Sequence, residues 1–420
     1  MKLIYLILAA TCFCATALAT TNNNNAVTFE SEITIAKQGK FHSKLLDEDI
    51  PFNLYLPKHY HLQSKQHTYP VIFINGAHGN QFFHAVTGLV EFYSRFERMP
   101  ESIVISLNYS GHYPEINTNG MWTSREVIDR YGKPELFNQF MKQELLPYLT
   151  QQYRANDKRM IIGVSGSSIY PLYSLLNDSD LFSDYVFLAS SDMIGMGFDK
   201  NVDIIEQLAS LPQKNNIKHK SLIYLADADD DLEKNQLSAK NHQRIKQYKA
   251  DLAKAGFQLE VASIENERHY DALLKTLMNV FELQYPESLW APKYRHLEAQ
   301  PGNTLANIDA FYQTLSEQVG FTVLPRGDRW NSVNNLRHTS VRLERAGKLE
   351  QALQVANRWQ QDWPYSAEAK LATAKLMKKL NQQDKAMLVL NKAIVLATEQ
   401  QVANLDAYID LQKTWQSQSE

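Results

Sequence analysis

The chain has 420 residues, 44% hydrophobic and 21% charged, and at roughly 150 residues per domain its length points to two domains. Apolar and aromatic content are those of a soluble globular protein, which excludes long disordered or fibrous stretches. Lys and Arg number 43 against 46 Asp and Glu, a formal charge of -3, so there is no basic field to make nucleic acid the main partner.

Residues 1–19 read MKLIYLILAATCFCATALA. Lys2 precedes an apolar run that ends at Ala17-Leu18-Ala19, the pattern of a secretory signal peptide. The run is shorter than the roughly 20 residues a spanning helix needs. Cys12 and Cys14 both fall within it, after Thr11 and Phe13, which do not suit lipoprotein processing. Cleavage after Ala19 is therefore expected to yield an exported chain, periplasmic or secreted, with no membrane anchor. Such a chain has no cysteine, and hence no disulfide, thiol chemistry or cysteine-bound zinc.

From Val27 to about Tyr285 strand-like and helix-like segments alternate. Val27–Leu56 reads as antiparallel strands closed by Pro57. Short apolar, β-branched runs follow at 69–75, 102–107, 159–164, 185–190 and 221–226. They have the character of strands buried on both faces. Helical stretches such as Lys133–Gln152 and Gln236–Ala255 separate them, the latter stopped by Gly256. Alternation of this kind predicts a largely parallel sheet covered by helices. After Pro286 the strand-like runs cease. Gly347-Lys-Leu-Glu-Gln-Ala352 recurs as Asn381-Gln-Gln-Asp-Lys-Ala386, an offset of 34 residues, which is the helix–turn–helix period of tetratricopeptide repeats. Thr339 and Thr373 occupy positions where large apolar residues are usual. About two copies are discernible, too few to stand alone, so the unit is expected to pack on the preceding domain or on a partner. A plain helical extension is the alternative.

The sharpest chemical signal is Gly163-Val164-Ser165-Gly166-Ser167, set between the strand 160–163 and a helix over 168–176. A tight strand-to-helix turn lifts a serine hydroxyl off the sheet edge and aims the following N–H groups at a developing oxyanion. Such a serine needs a base and an orienting carboxylate, in the order Ser, acid, His along the chain. The strand at 221–226 leads into Asp227-Ala228-Asp229-Asp230-Asp231. Asp229 is the preferred acid, with Asp230 and Asp227 behind it. After the strand 257–264, the loop Glu265–His269 supplies His269. The acidic cluster does not match an EF-hand calcium loop. Oxyanion donors are expected from the N–H groups of Ala77, in the loop Asn75–Gly79, and Gly166. His78 and His112 are candidates for the substrate pocket. No third ligand at suitable spacing accompanies His78 and His84, so no metal site is expected.

At these residues the sequence resembles the esterase D and enterochelin-esterase-like branch of the α/β-hydrolases, over roughly residues 45–285. The resemblance rests on Tyr69-Pro-Val-Ile-Phe-Ile-Asn-Gly76, Val86-Thr-Gly-Leu-Val-Glu91, Met99–Asn108, Glu144-Leu-Leu-Pro-Tyr148, Tyr153-Arg154 and Leu172-Tyr-Ser-Leu-Leu176. It implies an α/β-hydrolase fold with Ser165 as nucleophile, His269 as base, Asp229 as acid, and Ala77 and Gly166 as oxyanion donors. Some exported members carry C-terminal helical repeats. The departures are Asn75-Gly76, where the family has Asp-Gly, and Asn108-Tyr-Ser-Gly-His112, where Asn-x-x-Arg is frequent.

The expected organisation is a signal peptide at 1–19, an α/β-hydrolase domain at 20–290 and an all-α helical-repeat domain at 291–420. The expected function is exported serine carboxylic-ester hydrolysis through an acyl-enzyme, on siderophore-type or other acyl esters, with no cofactor. A small-molecule ester is the expected substrate, and the repeats offer a surface for a protein partner or self-association. The alternatives are an inactive hydrolase-fold scaffold that binds protein through its repeats, motivated by Ser167 and the Asp-rich loop, or an acyltransferase with the same triad.

Overall fold

The computed structural model describes residues 33–76, 78–108, 134–198, 202–211, 221–290, 294–327 and 335–418. The expected signal peptide at 1–19, with Cys12 and Cys14, lies outside them. From Ala36 to Glu420 the chain forms one compact unit.

Eight strands make one sheet: β1 (Lys37–Ser43), β2 (Glu48–Tyr55), β3 (Tyr69–Ile74), β4 (Ile103–Leu107), β5 (Ala155–Val164), β6 (Asp184–Leu188), β7 (Ser221–Ala228) and β8 (Phe257–Ile264). Their order is β1-β2-β4-β3-β5-β6-β7-β8. The β1–β2 and β2–β4 pairs are antiparallel, and every pair from β4 to β8 is parallel. β3, β4, β6 and β7 are buried at every position. That explains their unbroken apolar runs, because helices cover both faces of a parallel sheet.

The helices that matter here are α1 (His78–Arg95), α2 (Ile169–Asn177), α3 (Asp229–Lys234), α4 (Gln236–Ile245) and α5 (Leu273–Gln284), followed by α6 (Thr304–Val319), α7 (Leu336–Arg345), α8 (Leu349–Asp362), α9 (Ala367–Lys379), α10 (Gln383–Glu399) and α11 (Leu405–Ser417). Strand alternation divides the core. Ile72, Ile74, Ile162 and Val186 face Val86 and Val90 of α1 and Leu277 and Phe281 of α5. Val71, Phe73, Ile161 and Tyr185 face Tyr170 and Leu172 of α2 and Ile245 of α4. The stretch expected to be helical from Lys133 contains a π-turn, Met141–Leu145. The turn presents Glu144 to the β1–β2 hairpin, where its carboxylate accepts from Ser43 Oγ at 2.5 Å and from the N–H groups of Lys44 and Leu45 at 3.1 and 3.2 Å.

The first of the two cores does not stop at the end of the sheet region. It continues through Tyr285 and Trp290 to Ile308 and Tyr312 of α6 and Trp359 of α8. Polar ties reinforce the join: Ser64 N–H donates to Asp362 O at 2.8 Å, and Arg326 pairs with Glu97 at 3.2 Å. Ser64 precedes β3 and Glu97 precedes β4, so the helices are anchored at the edge where the parallel strands begin.

Within the helical region the 34-residue offset is a physical repeat. Gly347 (φ 75°) and Asn381 (φ 60°) both take the left-handed conformation in the turns before α8 and α10, and Ala352 and Ala386 are both fully buried. Thr339 and Thr373 are fully buried as well. Thr373 Oγ1 lies 3.0 Å from Ala369 O on its own helix and 3.2 Å from Ala356 O on α8. A small hydroxyl stands there because neighbouring helices approach closely enough to share it. No helix among the described residues is long and apolar enough to cross a membrane.

Candidate active site

β5 ends at Val164, and Ser165 follows with φ 48°. A non-glycine residue in this region is strained by about 1–3 kcal/mol and is held only by its surroundings. Those surroundings are visible. A Cβ on Gly163 would stand 2.6 Å from Ser168 Cα, so only glycine lets strand and helix meet around the turn. Ser167 Oγ accepts from Val164 N–H at 2.9 Å and donates to Val164 O at 2.8 Å. The residue that replaces a glycine thus closes the turn with its own hydroxyl. Asn75 Nδ2, at the end of β3, donates to Ser167 O at 2.6 Å. A carboxylate at position 75 could not donate there, which accounts for Asn75-Gly76 in place of Asp-Gly. An added Cβ on Gly166 meets nothing within 4 Å.

Two strands away, β7 runs into α3 and β8 runs into the loop carrying His269. His269 Nδ1 lies 2.9 Å from Asp231 Oδ2, the two side chains 39% and 23% exposed. A carboxylate only accepts, so Nδ1 carries the proton and Nε2 is left as the basic nitrogen. The ring also packs edge-on to Tyr270 at 4.5 Å, and Tyr270 reaches Phe82 of α1 at 5.8 Å. The ends of β5 and β8 and the start of α1 therefore meet on one edge of the sheet, where the parallel strands end. Among the described residues no hydrogen bond joins Ser165 to His269.

The expectation that Asp229 pairs with His269 is corrected by this geometry. Asp229 opens α3, and its carboxylate turns to the loop backbone. It accepts from Asn266 N–H at 2.8 Å and Glu267 N–H at 3.3 Å. These N–H donors, Asn266 first, hold its carboxyl below the ordinary range. Asp229 shapes the histidine loop, and Asp231 touches the histidine. Asp230 pairs with Lys234 at 2.6 Å.

Asp227 points elsewhere. It accepts from Ser191 N–H at 3.2 Å, from the Ser191 hydroxyl and from His242 Nδ1 of α4 at 3.0 Å. The His242 and Asp227 side chains are each only 2% exposed. Nearby, burial raises the carboxyl pKa of Asp192. Neither Ser191 nor His242 stood out in the sequence, because no spacing rule links β6, β7 and α4.

Ala77 and His112 lie outside the described residues, as does the side chain of His78, whose backbone opens α1. Among the described residues no group of three or more His, Cys, Asp or Glu is arranged to hold a metal.

A family model described as "Putative esterase" matches residues 43–278, more than half of the chain. No curated protein sequence matches. Of solved structures, an IroE-like serine hydrolase from Shewanella oneidensis is similar at 18% identity and a TM-score of 0.55, over 77% of this chain and 99% of that one. An uncharacterised protein from Capnocytophaga ochracea is similar at 17% identity and a TM-score of 0.49, over 91% and 99%. The siderophore hydrolase EstB from Aspergillus nidulans is similar at 13% and 0.46, over 61% and 96%. The sheet order, the serine turn and the family match agree: this chain belongs to the esterase family of α/β-hydrolases, which cleave carboxylic esters.

Proposed function

We propose that the chain is an exported serine carboxylic-ester hydrolase in which Ser165 is the nucleophile, His269 the base and Asp231 the orienting acid. The observation that carries this reading is the 2.9 Å contact of Asp231 with His269 Nδ1, on the sheet edge where the strained Ser165 turn ends β5. Ser165 Oγ attacks the ester carbonyl while His269 Nε2 takes its proton. The C–O bond to the alcohol then breaks, and the same proton passes to the departing alkoxide. Water repeats the sequence on the acyl-enzyme and releases the acid. Gly166 N–H, with Ala77 N–H as second donor, stabilises the oxyanion at each stage. The serine–histidine bond forms as the ester binds, since such contacts tighten in the substrate complex.

Neither feature that motivated an inactive scaffold requires one. Ser167 closes the nucleophile turn through its hydroxyl, and the aspartates of the acidic loop hold distinct partners. The helices α7–α10 are read as two tetratricopeptide-like hairpins that offer a protein-binding surface away from the site. Siderophore-type, feruloyl, acetyl and simple acyl esters are the substrates to compare.

The test is labelling by a fluorophosphonate probe, with an ester panel, on wild type and Ser165→Ala. Wild type is expected to label and turn over, and Ser165→Ala to lose labelling and about 10⁴-fold or more of its activity. Equal labelling of both proteins overturns the reading. Product analysis with an added alcohol separates hydrolysis from acyl transfer.

A further inference from the structure

The buried Ser191, Asp227 and His242 take no part in the chemistry above, yet they lie between its two halves. Ser168, in the nucleophile turn, shares a 2.6 Å hydrogen bond with Ser190 in the loop after β6. The next residue, Ser191, gives both its N–H and its hydroxyl to Asp227. Asp227 lies on β7 two residues before Asp229, which holds the histidine loop, and four before Asp231, which holds His269. His242 Nδ1 closes the carboxylate from the α4 side at 3.0 Å. All three side chains are buried, so no water competes for these bonds.

From this chain of contacts we infer that Asp227, clamped by Ser191 and His242, is a positioning residue that sets the spacing between the nucleophile turn and the acid–histidine pair. A carboxylate suits the task because it accepts from all three donors at once, and an amide in its place would turn one end against a donor. Reaction rates depend steeply on this spacing. The inference rests on the roles proposed for Ser165, His269 and Asp231.

It is tested with His242→Leu, Ser191→Ala and His242→Asn, with kcat expressed per fluorophosphonate-titrated site so that unfolded chains do not count. His242→Leu is expected to lower kcat about 10²-fold with KM nearly unchanged, and Ser191→Ala to lower it about tenfold. His242→Asn, whose side-chain N–H reaches the place of Nδ1, is expected to recover most of that loss. Wild-type kcat in Ser191→Ala and in titratable His242→Leu overturns the inference, as does failure of the asparagine to rescue. If His242→Leu yields no titratable sites, Ser191→Ala decides alone. A Ser165→Ala chain that still turns over overturns the catalytic reading first. An inactive Ser165→Ala chain beside fully active His242 and Ser191 variants leaves that reading intact.

Discussion

Two Asp–His pairs built on aspartates at the end of β7 and the start of α3 have nearly equal length and opposite setting. Asp227 and His242 meet at 3.0 Å with 2% of each side chain exposed, whereas Asp231 and His269 meet at 2.9 Å with 23% and 39% exposed. The first joins strand β7 to helix α4, and the second joins the first turn of α3 to the loop after β8. Chemistry at a histidine needs a free Nε2 that substrate can reach, and only the second pair offers it. The contact alone does not distinguish the two pairs; their setting does.

Five variants break or sharpen that contrast. His269→Ala should lower kcat/KM by about 10⁵-fold while changing folding stability by less than about 0.5 kcal/mol; a small kinetic effect would merge the two pairs. Asp231→Asn should cost about 10³-fold by loosening the imidazole tautomer. A larger loss in Asp229→Asn would return the acid role to Asp229. Asp227→Ala should destabilise the fold by about 3 kcal/mol in urea titration, because it leaves buried donors without their carboxylate. The same change at Asp231, a partly exposed pair, should cost under about 1 kcal/mol.

The smallest effect concerns pH. The carboxyl pKa of Asp229 is depressed in the folded chain, chiefly by the Asn266 N–H. Its stabilisation is therefore complete above the ordinary carboxylate value of about 3.9 and is lost as pH falls through the depressed value. Wild type and Asp229→Asn should differ in urea midpoint at pH 7 and converge below about pH 4. A constant difference across that range would show that charge plays no part.

Much of the candidate site's placement could be read from the sequence, since a buried parallel strand announces itself by composition and the proposed Ser, acid, His order follows the strand order. The choice among Asp227, Asp229, Asp230 and Asp231 could not be read. These residues straddle the end of β7 and the first turn of α3, where the repeat of side-chain directions changes from two residues to 3.6. Asp227 still obeys the strand and points to His242, Asp229 caps the histidine loop, and Asp231 is carried round by the helix to His269. Asn75 was visible as a departure, but its bond to Ser167 O crosses 92 positions in the chain.

Composition and spacing by themselves determined the strand-rich and helical regions, the serine turn with its small neighbours and the 34-residue repeat. Each of these is local, written within a few dozen residues by periodicity or by the space a turn allows. Tertiary structure alone decided which aspartate meets which histidine, and that the helical region shares a core with the sheet and is anchored at the edge opposite Ser165. Both depend on where distant segments converge, and on which side chains that convergence leaves dry.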